Sequence, residues 1–222
     1  MLDYLASELI RHQWDLKAIH RLIMTSAVYR QSCDVDEQRA SVDRENRLLW
    51  HRPRRRLEAE AIRDAVYVVS GQLDDRLYGP GKLDEGHRRR SLYFTVKRSQ
   101  LMPSMTVFDA PDGTTPVADR PQTTIAPQAL LLMNNPQIRE ASRQFASKLQ
   151  PVATESLNDA VQLGYLSAVS RQPTAEELTG AATFIREQAA SYSPSDVKSG
   201  VSQALVDFCQ VLFCLNEFIY TE

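Results

Sequence analysis

Residues 91–135, SLYFTVKRSQLMPSMTVFDAPDGTTPVADRPQTTIAPQALLLMNN, interrupt an otherwise helical sequence and decide how the rest of the chain is organised. Prolines and a glycine recur through the second half of this segment, which predicts a loop rather than a continuous helix. A folded loop would bring several polar side chains together, so we expect the site to lie here. The polar residues concerned are Asp109, Asp112, Asp119, Arg120, Thr123, Thr124, Gln128, Asn134 and Asn135.

The composition allows a large buried core but names no partner. The chain has 222 residues, 43% of them hydrophobic, which is enough for one large domain or two small ones. We predict one mainly helical domain over residues 1–222, with a subdivision into 1–125 and 126–222 as the alternative. The formal net charge of -2 gives no overall field that would require nucleic acid or an anionic membrane as a partner.

The three cysteines do not form a disulfide framework. Cys33, Cys209 and Cys214 are sparse and odd in number, whereas disulfide-stabilised domains are small and rich in cysteine. Cys209 and Cys214 lie five residues apart in a predicted helix, which points their side chains away from each other. We expect both to be buried apolar thiols.

Capping signals predict where several helices begin. Thr174 is followed by Glu177, which is the spacing of a capping box, and Asn135 precedes Pro136, a favourable first helical residue. We therefore predict a mainly α fold, a multi-helix domain with a small two-stranded β element and long loops, whose last three helices form a bundle. The other predicted helix starts are Asp15, Asp43 and the trio Ser193, Pro194 and Asp196.

A helix with unusual charges is predicted to open at residues 51–56, HRPRRR. Arginines at a helix N-terminus oppose the macrodipole, and Glu60 and Asp64 place like charges one turn apart. Because local helix energetics do not explain this pattern, we expect Arg56, Glu60 and Arg63 to pair with groups elsewhere in the fold. Such pairs would form either an ion network that docks the helix or a polar binding site.

Two short strands are predicted beside this helix. Residues 92–97 alternate apolar and polar side chains with the period of a strand, and residues 106–109 are a candidate partner strand. Arg88, Arg89 and Arg90 adjoin the first of these, and arginines next to aromatic rings are typical of nucleic-acid contacts. A run of arginines at a strand end is more often solvated or ion-paired, so the sequence disfavours nucleic acid.

The carboxylates of the loop leave three alternatives open. Asp109 and Asp112, with Glu60, are the candidate catalytic residues of a hydrolase, because paired carboxylates divide acid and base roles in glycoside chemistry. The same oxygens would suit calcium, although we assign no metal ligands. Asp-Ala-Pro-Asp-Gly is also ordinary turn composition. Residues assigned to ligand binding are Arg56, Glu60, Arg63, Asp109, Arg120, Thr124, Gln128 and Asn134.

Familiar catalytic and cofactor motifs are absent from the sequence. It contains no Cys-x-x-Cys-His haem attachment, no His-Glu-x-x-His zinc motif, no phosphate-binding loop and no nucleophile elbow. We therefore predict no cofactor in this chain, calcium excepted. No signal peptide opens the chain, and no apolar run approaches the ~20 residues that span a bilayer.

Several phrases together resemble one protein family. They are LDYLASELIRHQWDLKAIHRLIMTSAVYRQS, PRRRLEAEAIRDAVYVVSGQLD, RRSLYFTVKR, FDAPDG, TTIAPQALLLMNN and VLFCLNEFIY. In this order they resemble a planctomycete-specific domain of unknown function that follows cytochrome-c-like segments in large exported proteins. The resemblance covers nearly the whole chain.

The resemblance implies a setting rather than a reaction. It implies that the chain is the C-terminal part of a longer exported or periplasmic protein, with which the absence of a cap before the first helix agrees. Haem would then belong only to upstream segments. The implied partners are those upstream domains, a glycan or another exported protein, in polysaccharide-related or electron-transfer work. Our first hypothesis is accordingly a ligand-docking or protein-interaction module, with the carbohydrate-active hydrolase second and nucleic-acid binding third.

Overall fold

The computed structural model describes residues 1–114, 118–194 and 197–221, with the side chains of residues 197–199 left out. The described chain is mainly α-helical, as predicted, and carries a two-stranded antiparallel sheet. It divides into two compact units, Met1–Arg55 and Arg56–Thr221. The single-domain assignment, with its alternative division at residue 125, stays a prediction.

The first unit contains three helices: α1 (Leu2–Arg11), α2 (Leu16–Met24) and α3 (Glu37–Val42). Asp15 caps α2 as predicted, because its carboxylate accepts a hydrogen bond from the Lys17 amide at 2.9 Å. The helix predicted after Asp43 is wrong. The Asp43 carboxylate instead closes a turn by accepting from the amides of residues 47 and 48, and Leu49 has a φ of 54° that no helix accommodates.

The second unit contains the remaining helices and all of the sheet except Arg55. Its helices are α4 (Ala59–Ser70), α5 (Pro103–Val107), α6 (Ala126–Asn134), α7 (Pro136–Glu155), α8 (Leu157–Val169), α9 (Ala175–Tyr192), α10 (Val197–Phe213) and α11 (Asn216–Ile219), with a 3₁₀ helix at Ser91–Tyr93. The sheet pairs β1 (Arg55–Arg56) with β2 (Tyr220–Thr221). The β element therefore exists, but it lies near the two ends of this unit's sequence.

Both predicted strand positions are wrong. Leu92 lies in the 3₁₀ helix, and Val96 is 69% exposed, so the alternating residues bury no continuous face. Residue 106 lies in α5 because Pro103 starts that helix. Residues 51–56 likewise do not open a helix: α4 begins at Ala59, and Arg56 belongs to β1.

The predicted bundle forms from α8, α9 and α10, and α7 joins it. Its core side chains are at most 2% exposed; they include Phe145, Val161, Ile185, Phe208 and Leu212. Asn135 caps α7, and Thr174 forms the predicted capping box with Glu177. Cys209 is fully buried and Cys214 partly so. The predicted starting residue Asp196 lies outside the described residues.

Gly200 sets how closely α10 approaches α9. A Cβ added at Gly200 would overlap the carbonyl oxygen of Ala189 and would lie 2.8 Å from its carbonyl carbon. Backbone atoms cannot rotate away as a side chain does, so the two helices would have to separate. Gly180, on α9, has nothing within 4 Å of the corresponding position.

We expect Gly200→Ala to lower the free energy of unfolding by about 3 kcal/mol, because the clash forces overpacking in the bundle. Gly180→Ala is the matched control and should raise it by about 0.5–1 kcal/mol, because alanine has the higher helix propensity. Urea denaturation followed by circular dichroism measures both. Equal effects of the two substitutions would contradict a close approach at Gly200.

Candidate functional site

Arg63 of α4 holds the loop that follows this helix. Its side chain is buried, and its guanidinium donates to the carbonyl oxygens of Arg89 at 3.0 Å, Glu85 at 3.3 Å and His87. The rings of Tyr67 and Phe94 each lie 4.6 Å from the guanidinium carbon, a cation–π arrangement. Burial lowers the pKa of Arg63 from its ordinary value, and the neighbouring Asp64 opposes this effect.

Asp64 ties the 3₁₀ helix to the same face of α4. Its Oδ1 accepts from both the amide and the hydroxyl of Ser91 at 2.7 Å. The Ser91 hydroxyl also accepts from Arg63 at 3.2 Å, and Arg90 reaches the other Asp64 oxygen at 3.4 Å. Arg63 and Asp64, which are adjacent in α4 and opposite in charge, therefore both bind the segment that contains Ser91.

Arg89, which belongs to the run of arginines predicted to be solvated or ion-paired, is buried. Its guanidinium lies 3.5 Å from the ring centre of Tyr93 and donates to the carbonyl oxygens of Arg76, Pro80 and Tyr78. The Tyr78 amide in turn donates to the Tyr93 hydroxyl at 2.6 Å. These bonds hold Tyr78 at a φ of 65°, a conformation that costs a bulky residue free energy.

Asp109 joins the central loop to β1. Its carboxylate accepts from the Arg56 guanidinium at 2.6 Å and from both the amide and the hydroxyl of Thr123 at 2.8 Å. Gln128, also buried, donates to the carbonyl oxygens of Thr123 and Val107. Asp109 therefore acts as a structural acceptor at a backbone φ of 62°.

Glu60 pairs with a residue distant in sequence, as expected from the α4 charge pattern, and that residue is Arg120. The two form a two-pronged contact of 2.7 and 3.0 Å, and Arg120 also reaches Glu58 at 3.3 Å. Burial raises the pKa of Glu60, but the hydrogen bond from Arg120, a backbone hydrogen bond and the charge of Arg120 together outweigh it, so the pKa lies below its usual range. The same pair raises the pKa of Arg120.

The other predicted site residues lie apart from these pairs. Asp112 is exposed and accepts from the amide and hydroxyl of Thr114, which lowers its pKa. The Thr124 hydroxyl lies 3.2 Å from that of Tyr220. Asn134 is exposed at the end of α6. The structure thus brings Arg56 together with Asp109, and Arg120 with Glu60, but it does not gather all the candidates around one point.

A cleft of about 340 Å³ opens beside the Glu60–Arg120 pair. We call it the Met102–Met105 cleft, because these two buried methionines line it together with Phe94. Gly113 brings the central loop against its wall, since a Cβ there would lie 3.3 Å from Val96. The remaining lining residues are Ser91, Leu92, Thr95, Lys97, Gln100, Leu101, Thr106, Ala110 and Pro111.

Most residues of this cleft were not among those predicted from the sequence. The predicted site residues are charged members of the loop, whereas the cleft walls are largely apolar and come mainly from the segment predicted to form strands. The one available signal was the pair Met102 and Met105, which have helical spacing and flank Pro103, a favourable first helical residue. It did not indicate which side of the short helix would face outward.

The described residues contain neither a metal-binding cluster nor a membrane-spanning helix. Within residues 1–114, 118–194 and 197–221, no three His, Cys, Asp or Glu side chains converge to hold a metal ion. None of the helices in the part of the chain that the structure describes is long and apolar enough to cross a membrane.

The fold and its sequence define a helical domain of a known family. The family model "Protein of unknown function (DUF1553)", also called PSD1, matches residues 1–185. The chain belongs to this family. Searches of curated proteins and of solved structures returned no match.

His87 makes the stability of the second unit depend on pH. The ring is 6% exposed, its Nδ1 accepts from the Arg89 amide at 3.2 Å, and its Nε2 has no partner among the described residues. Burial, and then the charge of Arg63, lowers the pKa of His87 below its ordinary value of 6.5. The folded protein therefore favours neutral His87.

We expect the free energy of unfolding to fall as pH drops below about 6.5, because only the unfolded state then takes up the proton at His87. The loss is at most about 1.4 kcal/mol per pH unit. His87→Asn keeps an acceptor for the Arg89 amide without titrating, so it should flatten this dependence. Urea denaturation at a series of pH values compares the two proteins, and identical slopes would contradict the assignment.

Asp109 provides a second test, because its charge and its backbone conformation can be separated. Asp109→Ala should cost about 3–5 kcal/mol, since it leaves the buried Arg56 guanidinium without its counter-charge and places alanine in the left-handed region. Asp109→Asn should cost about half as much, because asparagine tolerates that conformation and still accepts hydrogen bonds. Thermal and urea unfolding measure both, and equal costs would exclude a conformational contribution.

Proposed function

We propose that this chain is a noncatalytic docking module whose ligand enters the Met102–Met105 cleft. One observation carries the proposal: the candidate catalytic carboxylates are engaged in structural contacts, whereas the side chains of Thr95, Lys97 and Gln100, which line the cleft, have no partner among the described residues. Ligand sites combine apolar walls with a few such polar groups. The loop charges then shape the cleft and are not themselves the reacting groups.

The engagement of the carboxylates supports docking over the hydrolase alternative. A glycosidase needs a general acid with a raised pKa and a second carboxylate across the scissile bond. The pKa values of Glu60 and Asp112 are both lowered. Asp109 accepts three hydrogen bonds from Arg56 and Thr123, which leaves it poorly placed to accept a proton from a substrate.

The burial of two arginines supports docking over nucleic-acid binding as well. The sequence offers two basic clusters for nucleic acid, residues 54–56 and 88–90. Arg56 of the first and Arg89 of the second are both buried with carbonyl or carboxylate acceptors. A phosphate-binding face needs several exposed cations close together. The burial of these two side chains removes a member from each cluster.

The wider setting of the module is part of the proposal and rests on the family resemblance. We place it in an exported or periplasmic multidomain protein of Planctomycetes, C-terminal to cytochrome-c-like segments that would hold the haem. Its partners would be the upstream domains of the same polypeptide, a glycan or another exported protein. The work of that protein would be polysaccharide handling or electron transfer.

Methyl NMR of methionine tests the docking proposal directly. Of the five methionines, Met102 and Met105 line the cleft, while Met1, Met24 and Met133 do not. We expect a ligand from a panel of peptides, oligosaccharides and small amphiphiles to shift only the Met102 and Met105 resonances. Thr106→Trp, which fills the cleft, should weaken that binding at least about tenfold, the loss of ~1.4 kcal/mol.

Thr179→Trp is the matched control for this substitution. Thr106 and Thr179 are both exposed helical threonines whose hydroxyls donate to the carbonyl four residues earlier, so the two changes perturb their helices alike. The control should bind as the unmodified chain does. A panel that leaves Met102 and Met105 unshifted would overturn the proposal, as would glycoside hydrolysis that Glu60→Gln abolishes.

A further inference from the structure

The lining of the Met102–Met105 cleft narrows the class of ligand. We propose that it binds an extended peptide segment of a partner protein, which inserts an apolar side chain next to an acidic residue. This inference rests on the proposed function and specifies its ligand. Three features of the cleft carry it: an apolar floor, unpartnered hydrogen-bonding groups on the rim and an unpaired cation.

The floor suits an apolar side chain. Met102 and Met105 are each 8% exposed at the base, and Phe94 and Leu101 add further apolar surface. Methionine side chains are flexible and polarisable, so they adapt to apolar groups of different shape. A glycan would bring many hydroxyls onto this surface, and each hydroxyl that loses water without a partner costs free energy.

The rim offers hydrogen bonds that nothing in the described chain uses. Within those residues, the Thr95 hydroxyl and the Gln100 side-chain amide contact no donor or acceptor, although both line the cleft. They present donors and acceptors that match the N–H and C=O groups of an extended peptide. A simple hydrocarbon chain would leave these groups unused, so a fatty acid fits less well.

The charge on the lining favours an acidic neighbour for the apolar side chain. Within the lining, Glu60 and Arg120 neutralise one another through their two-pronged contact, and Glu58, outside the lining, also reaches Arg120 at 3.3 Å. The Lys97 ammonium has no ion pair within the described residues, which leaves the lining with one net positive charge. Outside the lining, Arg98 is offset by Asp112, whose pKa it helps to lower. An acidic side chain on the ligand would therefore meet a free cation.

Three matched peptides test the inference against the isotopically labelled chain. They are Gly-Ser-Leu-Glu-Ser-Gly, the same sequence with Lys in place of Glu, and the same sequence with Ala in place of Leu. We expect the Leu-Glu peptide to shift the Met102 and Met105 methyl resonances with a Kd about three- to fivefold lower than the Leu-Lys peptide, the size of one exposed charge interaction. The Ala-Glu peptide should bind weakest.

Two substitutions of equal charge identify the cation. Lys97→Glu should reverse the preference between the Leu-Glu and Leu-Lys peptides, whereas Lys17→Glu changes the net charge equally but lies outside the cleft and should leave it unaltered. Added salt should reduce the preference in the unmodified chain, because the charges are exposed. Equal binding of the two peptides, or no effect of Lys97→Glu, would overturn the inference.

Two further ligands, cellohexaose and decanoate, distinguish a failure of the peptide inference from a failure of the docking proposal. Shifts of Met102 and Met105 caused by cellohexaose or decanoate, with none from the peptides, would refute the peptide class while keeping the cleft as a docking site. An absence of shifts with every probe would refute both proposals. Shifts of Met133 alone would place binding elsewhere and would likewise count against both.

Discussion

The buried guanidinium of Arg63 constrains the arrangement of everything around α4. It donates to the carbonyl oxygens of Glu85, His87 and Arg89, and aromatic rings cover its faces. A cation at this depth has to keep its acceptors, because losing them while it stays buried costs several kcal/mol. Residues 85–91 therefore cannot leave α4 unless the charge leaves the interior with them. An irregular segment without a sheet ladder is in this way held in one conformation.

The same principle extends along the second unit. Arg89 holds the preceding loop, Arg56 holds Asp109, and Arg120 holds Glu60. At the other end of α4, the Lys148 ammonium of α7 donates to the Val69 carbonyl at 3.0 Å, a favourable position for a cation at a helix C-terminus. Helix α4 therefore contacts the bundle helix α7 at its C-terminal end and the loops through the side chains of Arg63 and Glu60. Of these bonds, the one between Arg120 and Glu60 lies in the lining of the Met102–Met105 cleft.

Much of the helical architecture could be predicted, because the determining interactions are local. Asp15, Asn135 and the Thr174–Glu177 box cap their helices within three residues of sequence, so their effect does not depend on the rest of the fold. The strands failed for a related reason. Alternation between residues 92 and 97 predicts a strand only if a sheet covers one face, and here the backbone bonds of this segment go to residue 82 and to a 3₁₀ turn.

The candidate site, too, could be predicted only in those features that depend on local sequence. The charges of Arg56, Glu60 and Arg63 could be selected from sequence because they made no sense as a helix N-terminus, yet their partners lie 53, 60 and 26 residues away. Pairing over such distances depends on how the loops close, which local pattern does not encode. The burial of Arg89 could not be predicted for the same reason. A run of arginines is typical of a solvated edge, but the folded loop supplies carbonyl acceptors that allow this guanidinium to be buried.

Composition, capping and helical periodicity were thus sufficient for the mainly α fold and the helices of the bundle, because these signals depend on neighbours in sequence. The family followed instead from the resemblance of longer phrases, and the family model matches residues 1–185. The folded chain alone distinguished structural charges from free ones. From the sequence alone, Glu60 and Lys97 are both charged residues of a kind usually found at the surface. In the structure, Arg120 neutralises Glu60, whereas no described residue forms an ion pair with Lys97. That difference arises from three-dimensional proximity, and it moves the candidate site from the carboxylates of the loop to the cleft beside them.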